Sequence, residues 1–163
     1  MLSIVTVKET YAASYRECLD AVAREQKYLA QVEALPLERI EDFVRASVVA
    51  DAAQFFAVDS ERVVGWADVF PAWAHAVSHC GSIGMGVLAA YRGRGLGMRL
   101  LQACVEKAWT KGITRIELEA RADNTAAIAL YEKVGFKHEA LKRNAMRFGG
   151  QYFDAVQMSL LRE

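Results

Sequence analysis

Proline is nearly absent, at two residues in 163, and eleven glycines leave little material for a linker. Low-complexity disorder and collagen-like repeats are thereby excluded. The three cysteines, Cys18, Cys80 and Cys104, are odd in number and show no metal-ligand spacing. Neither a disulfide framework nor a zinc ribbon can be built from them, and free thiols in a cytoplasmic protein are the expectation. The three histidines, His75, His79 and His138, also lack ligand spacing, so no metal is expected. Charge of one sign is missing as well, with 20 Lys plus Arg against 20 Asp plus Glu. No long-range field draws such a chain to nucleic acid or an anionic membrane. No window approaches the roughly 20 apolar residues of a membrane span. The first residues, MLSIVTVKETYAASYRE, lack a basic region followed by an apolar run. A soluble cytoplasmic protein without nucleic-acid or membrane partners is expected.

What is present is apolar residues at 53% and charged residues at 25%. That balance supports a core able to fold without staples, as one domain over residues 1–163. SIVTVKET is short and β-branched and reads as a strand. ECLDAVAREQKYLAQV carries apolar residues near the helical period, and Pro36 should separate it from a second helix over LERIEDFVRASVV. QFFAVD and RVVGWADVFP are strands joined by a tight turn at Ser60-Glu61, and CGSIGMGVLA is a third strand broken by glycines. In GMRLLQACVEKAWTKG, Leu96, Leu100, Cys104 and Ala108 fall four apart, which predicts a helix stopped at Gly112. TRIELEAR alternates as a strand, with Ile116, Leu118 and Ala120 on one face; DNTAAIALYEKVGF is a capped helix closing on Gly135. The tail reads as two strands around Gly149-Gly150. The order β, αα, βββ, α, β, α, ββ predicts a mixed α/β fold and disfavours a doubly wound parallel sheet.

Residues 91–97, YRGRGLG, stand between a strand and a helix. Unpaired N–H groups and the dipole at a helix start attract an anion, and glycines let it approach the backbone. Arg92 and Arg94 can add charge at the edge of such a nest. The spacing matches neither a P-loop nor G-x-G-x-x-G, so ATP and NAD are disfavoured. It fits R-x-x-G-x-G as Arg92, Gly95 and Gly97.

With that motif, the chain resembles the GCN5-related N-acetyltransferase superfamily. RADNTAAIALYEKVGF carries a second likeness, with Asn124 opening a helix and Tyr131 seven residues later. The resemblance implies a mostly antiparallel sheet of about seven strands flanked by about four helices and splayed between strands 4 and 5. It implies acetyl-CoA as cosubstrate, held by Met85, Gly86 and Val87 of the fourth strand. Arg92, Gly93, Arg94, Gly95, Leu96, Gly97 and Met98 would cradle the pyrophosphate, and Asn124 and Tyr131 would contact the cofactor.

The implied chemistry is attack of a primary amine on the thioester. The Val87 N–H suits the developing oxyanion, and the Tyr131 phenol suits protonation of the departing thiolate. The strand CGSIGMGV has no acidic residue, so the base is sought among Asp68, Glu119 and Glu25, or a water. Trp66, Trp73, Phe70 and Tyr28 are core or cleft wall, and Glu117 and Glu119 with Arg115 and Arg121 read as a solvated strand face. A small molecule, an amino acid or another small amine, is the expected acceptor. A protein N-terminus or lysine, and a non-catalytic acyl-CoA sensor, are the alternatives, and a homodimer is an option.

Overall fold

A computed structural model describes all 163 residues. Seven strands form one sheet: β1 (Leu2–Thr6), β2 (Ala53–Asp59), β3 (Arg62–Pro71), β4 (Cys80–Val87), β5 (Arg115–Arg121), β6 (Lys137–Phe148) and β7 (Gln151–Leu161). Their spatial order is β1-β2-β3-β4-β5-β7-β6, antiparallel throughout except for the β4–β5 pair. Four α-helices pack on it: α1 (Ala12–Arg24), α2 (Leu37–Val49), α3 (Leu96–Thr110) and α4 (Thr125–Val134). The mixed α/β fold expected from the element order is therefore present, as is the mostly antiparallel seven-stranded sheet that the resemblance implies.

Local chemistry explains most boundaries. Ser60 and Glu61 both hold positive φ, +49° and +68°. That is the backbone of a two-residue hairpin whose twist matches its strands, achieved here without glycine. Leu96, Leu100, Cys104 and Ala108 are all at most 1% exposed and bury the α3 stripe against β2 and β3. α4 ends on Gly135 at φ +112° in the left-handed region, a glycine C-cap. Gly149 and Gly150, at φ +56° and +79°, turn the β6–β7 hairpin.

The first helix is shorter than its periodicity predicts. α1 stops at Arg24, and residues 25–36 form an irregular segment before Pro36 starts α2. The cause is tertiary: Glu25 is taken by Arg92, and the Gln26 carbonyl accepts from Arg121 Nη1 at 3.1 Å. Gln26, between these two contacts, holds φ +53°. The segment is fastened at its far end too, where Asp20 accepts the Ala34 N–H at 2.9 Å and Arg16 Nε donates to the Leu35 carbonyl at 2.7 Å.

Candidate active site

The site begins where the sheet fails to close. β4 and β5 pair only over Cys80–Ser82 against Arg115–Glu117. Beyond Ser82 the two strands diverge. β4 stays paired to β3, and the Ala72 N–H bond to Cys80 O and the Leu88 N–H bond to Val64 O fix which residues face which neighbour. By the alternation of an antiparallel ladder, Met85 and Val87 turn their N–H and C=O groups away from β3, into the gap. A cleft of about 380 Å³ fills it, lined by Met85, Gly86 and Val87, by Arg92, Gly93, Gly97 and Met98, and by Glu119, Asn124 and Tyr131.

The glycine loop forms one end of this cleft. Gly93 and Gly95 hold φ +77° and +78°, and a Cβ built on either would meet nothing within 4 Å. Glycine is required there by conformation, and the space above it is open. The backbone N–H groups of Gly93 to Met98 find no backbone acceptor; the first bond of α3 runs from Arg99 N–H to Gly95 O. Consecutive unpaired donors at a helix start form an anion nest suited to a pyrophosphate. Leu96 contributes only its backbone, since its side chain is 1% exposed in the core.

The two arginines of the loop differ. Arg92 donates through Nε to Val87 O at 2.9 Å and through Nη2 to both Glu25 oxygens at 3.1 and 2.9 Å, and its guanidinium lies 4.5 Å from the Tyr28 ring centroid. Its side chain ties β4 to the end of α1. Arg94 stacks on Tyr91 at 5.1 Å, and Tyr91 is held by Asp59 through a 2.7 Å hydrogen bond.

Asn124 caps α4, its side-chain oxygen accepting the Ala127 N–H at 3.4 Å, and it also lines the cleft. Tyr131 is 8% exposed, packs at 5.8 Å on Phe136, and lines the same cleft. Burial pushes its phenol up to about 12, so it stays protonated across the working range.

On the other side of Met85 lies a second pocket of about 360 Å³, walled by α1, α2, residues 29–35 and the middle of β3. Asp68 is its acid. The carboxyl is 9% exposed, has no ion-pair partner, and is pushed up to about 7 by burial, partly offset by the Gly84 backbone N–H. Its Oδ1 would stand 3.0 Å from a Cβ on Gly84. The other two carboxylates from the sequence are occupied: Glu25 by Arg92, and Glu119 by Lys142 at 2.6 Å on an exposed face. Asp68 is thus the one carboxylate of the three held buried and free of a cation.

Trp66 lies 2% exposed across Gly86, where a Cβ would meet its ring at 2.4 Å, so Gly86 is glycine for packing against β3. Trp73 is 96% exposed and walls neither pocket, and Phe70 stacks on Phe43 at 5.3 Å away from the cleft. Arg121 departs from the solvated face expected for its strand; it is 9% exposed, forked onto Asp123 and stacked 3.8 Å from the Phe153 ring. Tyr15, Leu29, Leu35 and Ile40 also wall this pocket, and no local pattern in the sequence marks them for it. The available signal was Asp68 itself, an acid inside the otherwise apolar run VVGWADVF.

Similarity to known proteins accords with this geometry. The chain is 40% identical over 70 residues to the [ribosomal protein bS18]-alanine N-acetyltransferase of Salmonella typhimurium, a stretch covering 43% of this chain and 47% of that protein. The chain thus spans about half the length of the curated relatives it matches. The acetyltransferase of the GNAT family from Streptococcus pneumoniae superposes with a TM-score of 0.90 at 25% identity, covering 99% of each chain. A GNAT superfamily phosphinothricin acetyltransferase from Sinorhizobium meliloti, solved in complex with AcCoA, has a TM-score of 0.86 at 18% identity, covering 99% of this chain and 89% of that one. The model of the acetyltransferase (GNAT) family matches residues 13–136, which hold strands β2 to β5 and, but for Ala12, the four helices, and the chain belongs to that family.

Proposed function

We propose that the chain transfers the acetyl group of acetyl-CoA to the primary amine of a small molecule. The observation that carries this reading is the meeting of two pockets at Met85: a cleft ending in an anion nest on one side, and on the other a pocket holding an unpaired buried acid. When bound, acetyl-CoA supplies a thioester whose C–S bond breaks as the C–N bond to the amine forms. The N–H groups of Gly93 to Met98 hold its pyrophosphate, and the Met85 and Asn124 polar groups hold the pantetheine arm. Asp68, titrating near 7, takes a proton from the incoming ammonium and leaves a nucleophilic amine. The Val87 N–H, turned into the gap, donates to the acyl oxygen as it gains charge. The Tyr131 hydroxyl gives its proton to the departing sulfur and is restored by the second proton that the nitrogen sheds as the amide forms.

A small acceptor is favoured because the irregular segment 25–36 roofs the acceptor pocket and is fastened at both ends. Acetylation of a protein N-terminus is the second reading, favoured by the 40% identity to the bS18-alanine enzyme. Thiol release from acetyl-CoA in the presence of amines tests the proposal. Turnover should require an amine and should fall at least about tenfold in Tyr131→Phe. Unchanged turnover in that variant removes the proton-donor assignment, and no amine-dependent thiol release removes the reading.

A further inference from the structure

The acceptor pocket carries information about what the amine is attached to, and this step rests on the acetyl-transfer reading above. Its walls are mostly apolar or aromatic, Tyr15, Leu29, Leu35, Ile40, Phe43 and Trp66 among them, and Gln31 is the one amide side chain. No arginine, lysine or histidine lines it. The nearest basic side chains are committed elsewhere. Arg16 Nε holds the carbonyl of Leu35 at the pocket's edge and Arg92 holds Glu25, and neither arginine lines the pocket. Asp68 is the only charged group inside and pairs with no cation of the protein. Tyr15, beside it, is fixed by stacking on Phe56 at 4.9 Å and on Trp66 at 5.8 Å, so this wall cannot swing away to admit another side chain.

A buried acid surrounded by hydrocarbon sets two conditions on a ligand. It must bring the cation that Asp68 lacks, and the rest of it must be apolar enough to be dehydrated at little cost. An α-amino acid meets the first condition and fails the second. Its carboxylate would enter within a few ångströms of Asp68 with no guanidinium or ammonium to receive it, so repulsion adds to an uncompensated desolvation. The volume of about 360 Å³ is at the small end of ligand pockets.

We infer that the acceptor is a free primary amine on a compact aryl or branched alkyl body, with no carboxylate, phosphinate or phosphate next to the nitrogen. The pocket selects by what it omits. The roof of residues 25–36 favours a free amine over the end of a polypeptide.

The test is a set of matched acceptors in steady-state thiol release with acetyl-CoA: phenethylamine against phenylalanine, isopentylamine against leucine, and an alanine-initiated peptide amide. We expect kcat/KM for each amine to exceed that of its carboxylated partner by at least about 100-fold, and to exceed that of the peptide amide. A cation placed at the pocket mouth by Leu35→Arg should raise the amino acid relative to the amine by about tenfold or more, whereas a merely steric effect lowers both together. Equal or better use of phenylalanine or leucine overturns the inference and leaves the acetyl-transfer reading intact. So does preference for the peptide amide, which moves the acceptor to a protein N-terminus. Acetyl-CoA binding without turnover of any of the five also overturns the inference. Failure to bind acetyl-CoA removes the underlying reading instead.

Discussion

With Asp68 as the base proposed above, stability and activity should pull apart at this residue. Its carboxyl titrates near 4 in an unfolded chain and near 7 in the fold. The native state therefore binds the extra proton between those values, and the group favours folding most at low pH. That contribution is lost as pH rises through about 7, where an ionised carboxylate must remain buried without a cation. Activity runs the other way, because a base must be ionised to take a proton. Asp68→Asn should lower kcat/KM at pH 8 by at least about 100-fold and abolish the rise in kcat/KM through pH 7. The same variant should melt a few degrees above the natural protein at pH 8 and close to it at pH 5. A variant with the natural pH profile would move the base to a water. Tyr131 is set in the opposite sense: burial raises its phenol, so its proton is available for donation and no ionisation limb below pH 9 should trace to it.

Among the elements, the turn between β4 and α3 and the segment after α1 are joined by one guanidinium. Arg92 reaches Val87 O, Tyr28 and Glu25 from within the glycine loop, so that loop and the segment over the second pocket share a residue. Glu25→Gln breaks the ion pair while keeping a hydrogen-bonding side chain. Both groups are about one-third exposed, so the loss of stability should stay below about 1 kcal/mol. The expected effect is on function: the Michaelis constant for the amine should rise several-fold, and that for acetyl-CoA should change less. Gly95→Val tests the loop itself. The φ of +78° resists a branched side chain at a cost of about 1–2 kcal/mol, and the side chain would fill the open space above the nest. The Michaelis constant for acetyl-CoA should rise at least about tenfold, measured at a temperature where the variant is folded.

These elements also show what could be read before any coordinates. The four-residue spacing of Leu96, Leu100, Cys104 and Ala108, the alternation of Ile116, Leu118 and Ala120, and the Gly149-Gly150 turn are local patterns, and each names its element without help from elsewhere. The glycine loop was legible for the same reason, since φ and helix-start chemistry are properties of a few consecutive residues. The end of α1 was not, because Glu25 and Gln26 are claimed by Arg92 and Arg121, 67 and 95 residues away. The choice among Asp68, Glu119 and Glu25 also depended on such distances. Lys142 and Arg92 neutralise two of them, and no spacing within the sequence announces those partners.

For the whole molecule, the cleft proposed to hold acetyl-CoA is a gap in the sheet, where β4 and β5 diverge with few bonds of their own. Only three residue pairs join them, while seven pair β4 with β3 and seven pair β5 with β7. A ligand lying in the gap and bonded to both walls restores the missing link between the two halves of the sheet, so binding should be felt in global unfolding. One-site binding at a hundredfold excess over the dissociation constant stabilises by about 2.7 kcal/mol. For a domain of this size that is very roughly 5 to 10 °C in melting temperature. Acetyl-CoA and CoA should both produce the shift, since the nest and the β4 edge address parts they share, while ATP and NAD at the same concentration should not. Gly95→Val should lose most of the shift and Asp68→Asn should keep it, which separates the cofactor wall from the acceptor wall in one set of melts. A shift with ATP equal to that with acetyl-CoA would mean that the loop holds a phosphate and that β4 contributes nothing to selecting what carries it.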